Sequence, residues 1–392
     1  MKQLIHNGTI VFPDHVKANC DMKIVDGVID ALGSNLTADN NLKSCDFSGD
    51  IIIPGLIDTH VHGAGGCDIM DGTAESLVTL RQALLQEGTT AFLGTTLSSP
   101  VDQLLTVLDT IDAGRKDKIH FGQAELLGVH LEGPFLTAEY KGAHVGKYIP
   151  PSLPGGDIAI LTRLVKSFPN LIKILTFAID RLDAADLAAF CQSHGIIPSA
   201  GHTAADYMAM SRAAEAGIQR ITHAFNTMPG IHHRKPGPMT EGLLNNDIEL
   251  ELIADGIHIH PAILEMAFRL KPQDKVTLVS DGTRSVGMPE GEYELGGLMT
   301  TVKNGIALLA DGTIAGSAFP LLQGIRTMVQ VLNRPLHEAV RFASLNPARS
   351  LGISHRMGSL EPGKEATFVR LSSELMVKQV WVKGELVVDR IG

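Results

Sequence analysis

Two histidines one residue apart, His60 and His62, close the stretch PGLIDTHVHG at residues 54–63, directly after the apolar run Ile51-Ile52-Ile53. Side chains two apart on a strand leave on the same face, so both imidazoles can address one point. A point that draws two imidazoles is usually a metal ion. Other parts of the chain must then supply further ligands. Glu132 in HLEGPF, His202 in SAGHT, His223 in THAFN, Asp281 in VSDGT, and Asp255 with His258 in ADGIH are candidates, each closing or following an apolar stretch. A divalent cation held by imidazoles and a carboxylate lowers the pKa of a bound water toward about 7. A carboxylate not committed to the ion can take the water's proton and return it to a leaving amine, and Asp281 suits that role. Such a set predicts hydrolysis of an amide, cyclic amide, ester or amidine-like bond.

Each residue alone has a bland reading. A lone strand-end histidine is more often a hydrogen-bonded structural residue, Asp281-Gly282 reads as a turn, and Glu132 could cap a loop. Their coincidence on five strand ends favours a metal site, because a charged group rarely ends an apolar strand without a partner. His130 alternates with Glu132 and fits either fate. His120, His194, His337 and His355 lack strand-end context and read as surface residues. Lys173 lies early in its strand, where it serves packing or the rim rather than bridging two metals as a carbamate.

The segment after His223 adds a basic loop, His232-His233-Arg234-Lys235, to a chain of formal net charge -10. Beside a metal rim it would receive an anionic substrate, with Arg234 giving forked hydrogen bonds to phosphate or carboxylate. His144, in YKGAH, could polarise a carbonyl oxygen, and His258 could contact substrate oxygens.

The elements that must position these residues alternate in type. Strands are expected at 55–60, 89–95, 125–132, 171–179, 195–202, 220–225, 249–255 and 275–281, with helices between them. AESLVTLRQALLQEG places Leu77, Leu80 and Leu84 at helical spacing before a terminal glycine. Eight such units predict an α/β fold, a (β/α)8 TIM-type barrel whose chemistry gathers at the C-terminal ends of the strands. A doubly wound sheet is the alternative, but no G-x-G-x-x-G follows the first strand. Both chain ends alternate in the manner of strands, with Asn7-Gly8, Asp26-Gly27 and Lys383-Gly384 as turns. They predict a small β-sandwich domain built from residues 1–53 and 356–392 around a barrel at 54–355.

The 44% hydrophobic and 19% charged content is that of a soluble globular protein, and no apolar run reaches the ~18 residues of a membrane helix. The N-terminus lacks the apolar core of a signal peptide, so a cytoplasmic protein is expected. Cys20, Cys45, Cys67 and Cys191 are scattered and form no disulfide or zinc-ribbon pattern. The acidic balance argues against nucleic acid or an anionic membrane as partner.

Taken in order, PGLIDTHVHG, HLEGPF, KGAH, SAGHT, THAFNTMP and VSDGT resemble the N-acetylglucosamine-6-phosphate deacetylases of the amidohydrolase superfamily. NGIALLADGTIAGSA and the later NPARSLG and GSLEPGKEATFV extend the similarity nearly to the end. The resemblance implies removal of acetyl from N-acetylglucosamine 6-phosphate, giving glucosamine 6-phosphate and acetate. It implies that Glu132, His202 and His223 hold the main metal, that Asp281 is the acid/base and that His144 assists at the carbonyl. Asn226, His258 and Arg234 match substrate-contacting positions, and the arginine's reach into a neighbouring subunit implies a homodimer. Family members differ at the first strand. Here both His60 and His62 are present, so a second ion bridged by Glu132 is expected. Thr227 stands where alanine is common and borders the expected sugar pocket, where it could alter selectivity among hexosamine epimers.

The cofactor is therefore one or two divalent ions per chain, with zinc expected and iron, manganese or cobalt compatible with the same ligands. Three rival readings remain: a deacetylase of the galacto epimer, a cyclic-amidase-type amidohydrolase, and an inactive relative kept as a binding protein. The cyclic amidase would want a lysine at the end of strand four, which LTFAID does not offer. The inactive relative would have lost a ligand or Asp281, and none is missing.

Overall fold

A computed structural model of the chain describes residues 2–36, 43–116 and 122–391. Eight strands lie parallel and in sequence order in one sheet. They are β1 (Leu56–Val61), β2 (Thr89–Thr96), β3 (Glu125–Glu132), β4 (Ile172–Phe177), β5 (Ile197–Ala200), β6 (Arg220–Ile221), β7 (Glu249–Ile253) and β8 (Val276–Val279). Every residue of β1, β2 and β8 is buried, as parallel strands covered on both faces require. The sheet closes where the segments after β8 and within β1 meet. Asp281 donates its N–H to the His60 carbonyl at 2.9 Å, and His62 donates to that of Gly282 at 2.8 Å. The expected (β/α)8 barrel is the fold.

β5 and β6 are shorter than their apolar runs suggested. The reason is backbone direction: His202, His223 and Phe225 take φ values of 49°, 28° and 78°, which lift the chain out of the ladder. The helices follow their sequence signals. Thr73 caps the helix Ala74–Gln86 by accepting the Ser76 N–H at 3.2 Å, and Leu77, Leu80 and Leu84 turn inward. Asp206 caps Tyr207–Glu215 in the same way through the Ala209 N–H at 2.8 Å.

Both chain ends enter a second, eight-stranded sheet. Ile51–Pro54 pairs antiparallel with Phe368–Leu371, joining the N-terminal strands to the C-terminal ones. Its strands alternate: Phe368 faces a separate core with Ile5, Met22, Ile24 and Trp381, while Val369 and Leu371 face the barrel's own core.

A four-stranded antiparallel sheet, from Gly291–Leu295 to Ile314–Ser317, follows β8 and was not expected from the sequence. Its two tight hairpins turn at Gly296-Gly297 and Asn304-Gly305, all four residues at positive φ, as type I′ turns demand. The sheet is tied to the barrel beside Asp281, whose carbonyl accepts the Ser317 N–H at 2.8 Å. His194 and His355 are exposed and His337 is half-buried, while His120 lies outside the described residues. Among the described residues no helix is long and apolar enough to cross a membrane.

Candidate active site

Glu132, the last residue of β3, is the centre of the site. Its Oε1 lies 3.1 Å from His202 Nε2, 3.1 Å from His223 Nε2 and 3.5 Å from His60 Nε2. Its Oε2 lies 3.2 Å from His144 Nε2 and 3.4 Å from His62 Nε2. Asp281 Oδ1 faces the first-strand pair, 3.2 Å from His62 Nε2 and 3.4 Å from His60 Nε2. All these residues are buried. His60, His62, Glu132, His202, His223 and Asp281, singled out from the sequence, thus meet at one point, while Asp255 is turned to His258 instead.

Hydrogen bonds on the far side of the ring fix the tautomer of His60, His62, His144 and His202, whereas His223 Nδ1 is buried without a partner. A carbonyl only accepts, so His202 Nδ1, 2.8 Å from the Tyr140 carbonyl, must carry the proton. The same holds for His62 Nδ1 against the Thr95 carbonyl at 3.2 Å, and for His60 Nδ1 against the Glu251 carboxylate at 2.6 Å. When neutral, these rings therefore aim Nε2 lone pairs at Glu132. His144 is reversed. Ser98 donates its backbone N–H to Nδ1 at 3.0 Å, so Nε2 of the neutral ring carries the proton and is a donor.

Lone pairs facing a carboxylate repel it unless a proton or a metal cation lies between them, and several imidazoles converging on one carboxylate are the ligand set of a metal site. Glu132 Oε1, His202 Nε2 and His223 Nε2 form a triangle with edges of 3.1, 3.1 and 3.0 Å. Ligand bonds of about 2.0–2.1 Å place neighbouring tetrahedral ligands only slightly further apart, about 3.3 Å. Glu132 with His60 and His62 makes a second group whose ligand atoms lie within 4.8 Å of one another, and His60 Nε2 is buried there without a hydrogen-bond partner.

The electrostatics show how strongly this cluster draws positive charge, whether carried by protons on the rings or by an ion. Burial opposes charge on His60, but Glu251, Glu132 and Asp281 outweigh it and hold the ring well above its ordinary value. His62 is raised against burial by Asp281 and Glu132. Burial pushes His202 down to about 4, which leaves it neutral and ready to ligate. Burial would raise Glu132 and Asp281, yet the neighbouring imidazoles hold both below the carboxylate range. Two buried carboxylates facing one pocket, Glu132 and Asp281, demand positive charge, which a divalent ion supplies.

A cavity of about 270 Å³ opens over this cluster. Asn226, Thr227 and His258 line it, as expected, with Leu97, Leu295 and Ile314 as an apolar wall. His258 is set by Asp255, whose carboxylate accepts from Nδ1 at 2.7 Å, and its Nε2 is buried without a partner. Thr227 sits at φ 52° against Gly142, where an added Cβ would come within 2.9 Å of the Thr227 methyl. Arg234 is not brought to this cavity; it is exposed, with its guanidinium 2.7 Å from His233 Nε2. A larger cavity of about 430 Å³ lies at the opposite end of the barrel beside Arg81, Arg115, Lys173 and Arg356. It holds none of the converging ligands, so size does not locate the chemistry.

The sequence reading missed Glu251 and Ser98. The alternation Glu249, Leu250, Glu251 in β7 was a usable signal for an acidic inner face, whereas Ser98 acts through its backbone and left none.

The sequence pattern of the amidohydrolase family matches residues 51–387. The chain belongs to that family. Among curated relatives, this amidohydrolase is 39% identical to an N-acetylglucosamine-6-phosphate deacetylase of Vibrio furnissii over 86% of its own length and 83% of the relative's. It is 34% identical to an N-acetylgalactosamine-6-phosphate deacetylase of Escherichia coli O157:H7 over 93% and 94%. Among solved structures, the N-acetylglucosamine-6-phosphate deacetylase of Pasteurella multocida superposes with a TM-score of 0.91 at 27% identity, covering 98% of this chain and 99% of that one.

Proposed function

We propose that this amidohydrolase cleaves the acetamide of N-acetylglucosamine 6-phosphate, releasing acetate and glucosamine 6-phosphate. The observation that carries the reading is the opposed orientation of the rings around Glu132: Nδ1–H is tied outward on His60, His62 and His202, leaving Nε2 to ligate, whereas His144 presents an Nε2–H. In this reading Glu132, His202 and His223 would hold the principal divalent ion, and His60 and His62 together with Glu132 would hold a second. A divalent ion there supplies Lewis-acid activation of water at neutral pH. Asp281 takes the water's proton and delivers it to the departing amine. Its low proton affinity in the metal-free cluster reflects the imidazoles beside it. His144 donates its Nε2–H to the amide oxygen as negative charge develops there. Asn226, Thr227 and His258 orient the sugar.

Arg234, exposed on its own subunit, binds the substrate phosphate of a neighbouring subunit, which makes the working unit a homodimer. Zinc in a cytoplasmic enzyme suits the imidazole-rich ligand set and the four free thiols.

The test is acetate release by purified, metal-replete protein, with the gluco and galacto substrates run side by side. Faster release from the gluco substrate is expected. Preference for the galacto epimer would keep the mechanism and move the specificity, with Thr227 the first residue to examine. No acetate from either would end the reading.

A further inference from the structure

Glu251 stands outside the set of residues that face the cavity, yet it touches both halves of the cluster. It lies on the inner face of β7, fully buried. One oxygen, Oε1, accepts from His60 Nδ1 at 2.6 Å and from the backbone N–H of His223 at 3.1 Å. The other, Oε2, faces the Arg220 guanidinium at 3.5 Å. Arg220 is itself fully buried and held by Glu249 at 2.6 Å and by Ser350 Oγ at 2.9 Å. A buried ion pair of this kind is a poor source of stability, since desolvation offsets most of the attraction. Its geometry instead serves the site. It fixes the plane and tautomer of the first-strand imidazole and pins the backbone where β6 turns toward Glu132.

We infer that Glu251 is a positioning residue that sets whether the first-strand site, His60 with His62, retains a divalent ion. This rests on the reading of those histidines as ligands. With Nδ1–H held by a carboxylate, Nε2 is the nitrogen His60 has left to ligate, and it is aimed between Glu132 and Asp281. Carboxylates that orient ligating imidazoles typically change metal affinity about 10–100-fold when removed. Glutamine at this position keeps the shape but offers one acceptor oxygen to the three groups that now share two.

The test counts ions and measures their affinity, independently of turnover. Wild type, Glu251→Gln and Arg220→Lys are loaded with zinc, dialysed, analysed for metal per chain and titrated with a competing chelator. Wild type should hold two ions. Glu251→Gln should release the weaker ion about 10–100-fold more readily while keeping the tighter one. Arg220→Lys, which disturbs the same buried pair but leaves the His60–Glu251 bond, should retain both. Equal affinities for both ions in wild type and Glu251→Gln would overturn the role of Glu251 alone. A wild type that never exceeds one ion would overturn the ligand reading of His60 and His62 as well. Should Glu251→Gln fail to fold, imidazole nitrogen NMR on the zinc-loaded wild type decides: His60 must show a protonated Nδ1, and a protonated Nε2 would reject the inference.

Discussion

The backbone N–H of Ser98 points at Nδ1 of His144 from 3.0 Å, and this one contact makes His144 a donor among imidazoles arranged as acceptors. Because the donor is backbone, the Ser98 side chain is dispensable. Ser98→Ala should keep kcat/KM within about threefold, whereas His144→Ala should lose about 10²–10³-fold in kcat, the cost of removing one donor to a developing oxyanion. Steady-state acetate release decides it. A large loss in Ser98→Ala would mean the hydroxyl contact at 3.0 Å, rather than the amide, holds the ring.

Asp281 is pinned by its backbone on both sides, through the His60 carbonyl and the Ser317 N–H. Asp281→Asn should therefore fold and load metal as wild type does while losing about 10²–10⁴-fold in turnover, since only proton transfer is removed. Metal content and melting temperature measured beside kcat check the two halves separately. Near-normal turnover would reassign the base.

Arg234 is exposed to solvent. Arg234→Ala should raise KM for the 6-phosphate substrate at least about tenfold, the scale of a lost charged hydrogen bond. N-acetylglucosamine without the phosphate should be affected little. Equal effects on both would show that this arginine does not read phosphate.

Lys271 is buried, with its ammonium donating to the carbonyls of Gly242 at 3.0 Å and Asn245 at 2.6 Å, and burial lowers its pKa to about 8. Between about 8 and the unfolded value of 10.5 the unfolded chain binds more protons than the folded one, so this group makes stability rise with pH through that window. Below it, the cost of the buried charge is fully present. Melting curves of wild type and Lys271→Met from pH 7 to 10.5 should show wild type gaining on the variant as pH rises. Parallel curves would refute the shift.

Chelation should lower the melting temperature reversibly, because ions bound only by the folded chain stabilise it by about 2.7 kcal/mol at a hundred times Kd. Restoring zinc should restore it, and a melting point indifferent to chelator would argue against bound ions.

Much of the architecture was legible because apolar runs of strand length alternate with helical spacing, and because histidines and acids fall at strand ends where a barrel collects them. Glu132 closes β3 at the expected residue, and His202, His223 and Asp281 each follow their strand by two. What stayed hidden depends on contacts across the chain. The tautomers follow from backbone groups of Ser98, Thr95 and Tyr140, which no side-chain pattern reports. The sheet from Gly291 to Ser317 was carried by two-residue turns, and its short strands fell between the barrel pattern and the last helices.

Three residues of the cluster, His202, His223 and Asp281, occupy left-handed backbone at φ 49°, 28° and 49°. Glycine enters that region freely, while other residues pay about 1 kcal/mol or more there. A lineage of this chain released from its chemistry would therefore drift at these positions first, gaining backbone ease as it lost ligands and base together. In this chain all three positions hold a ligand or the base at the expense of backbone ease.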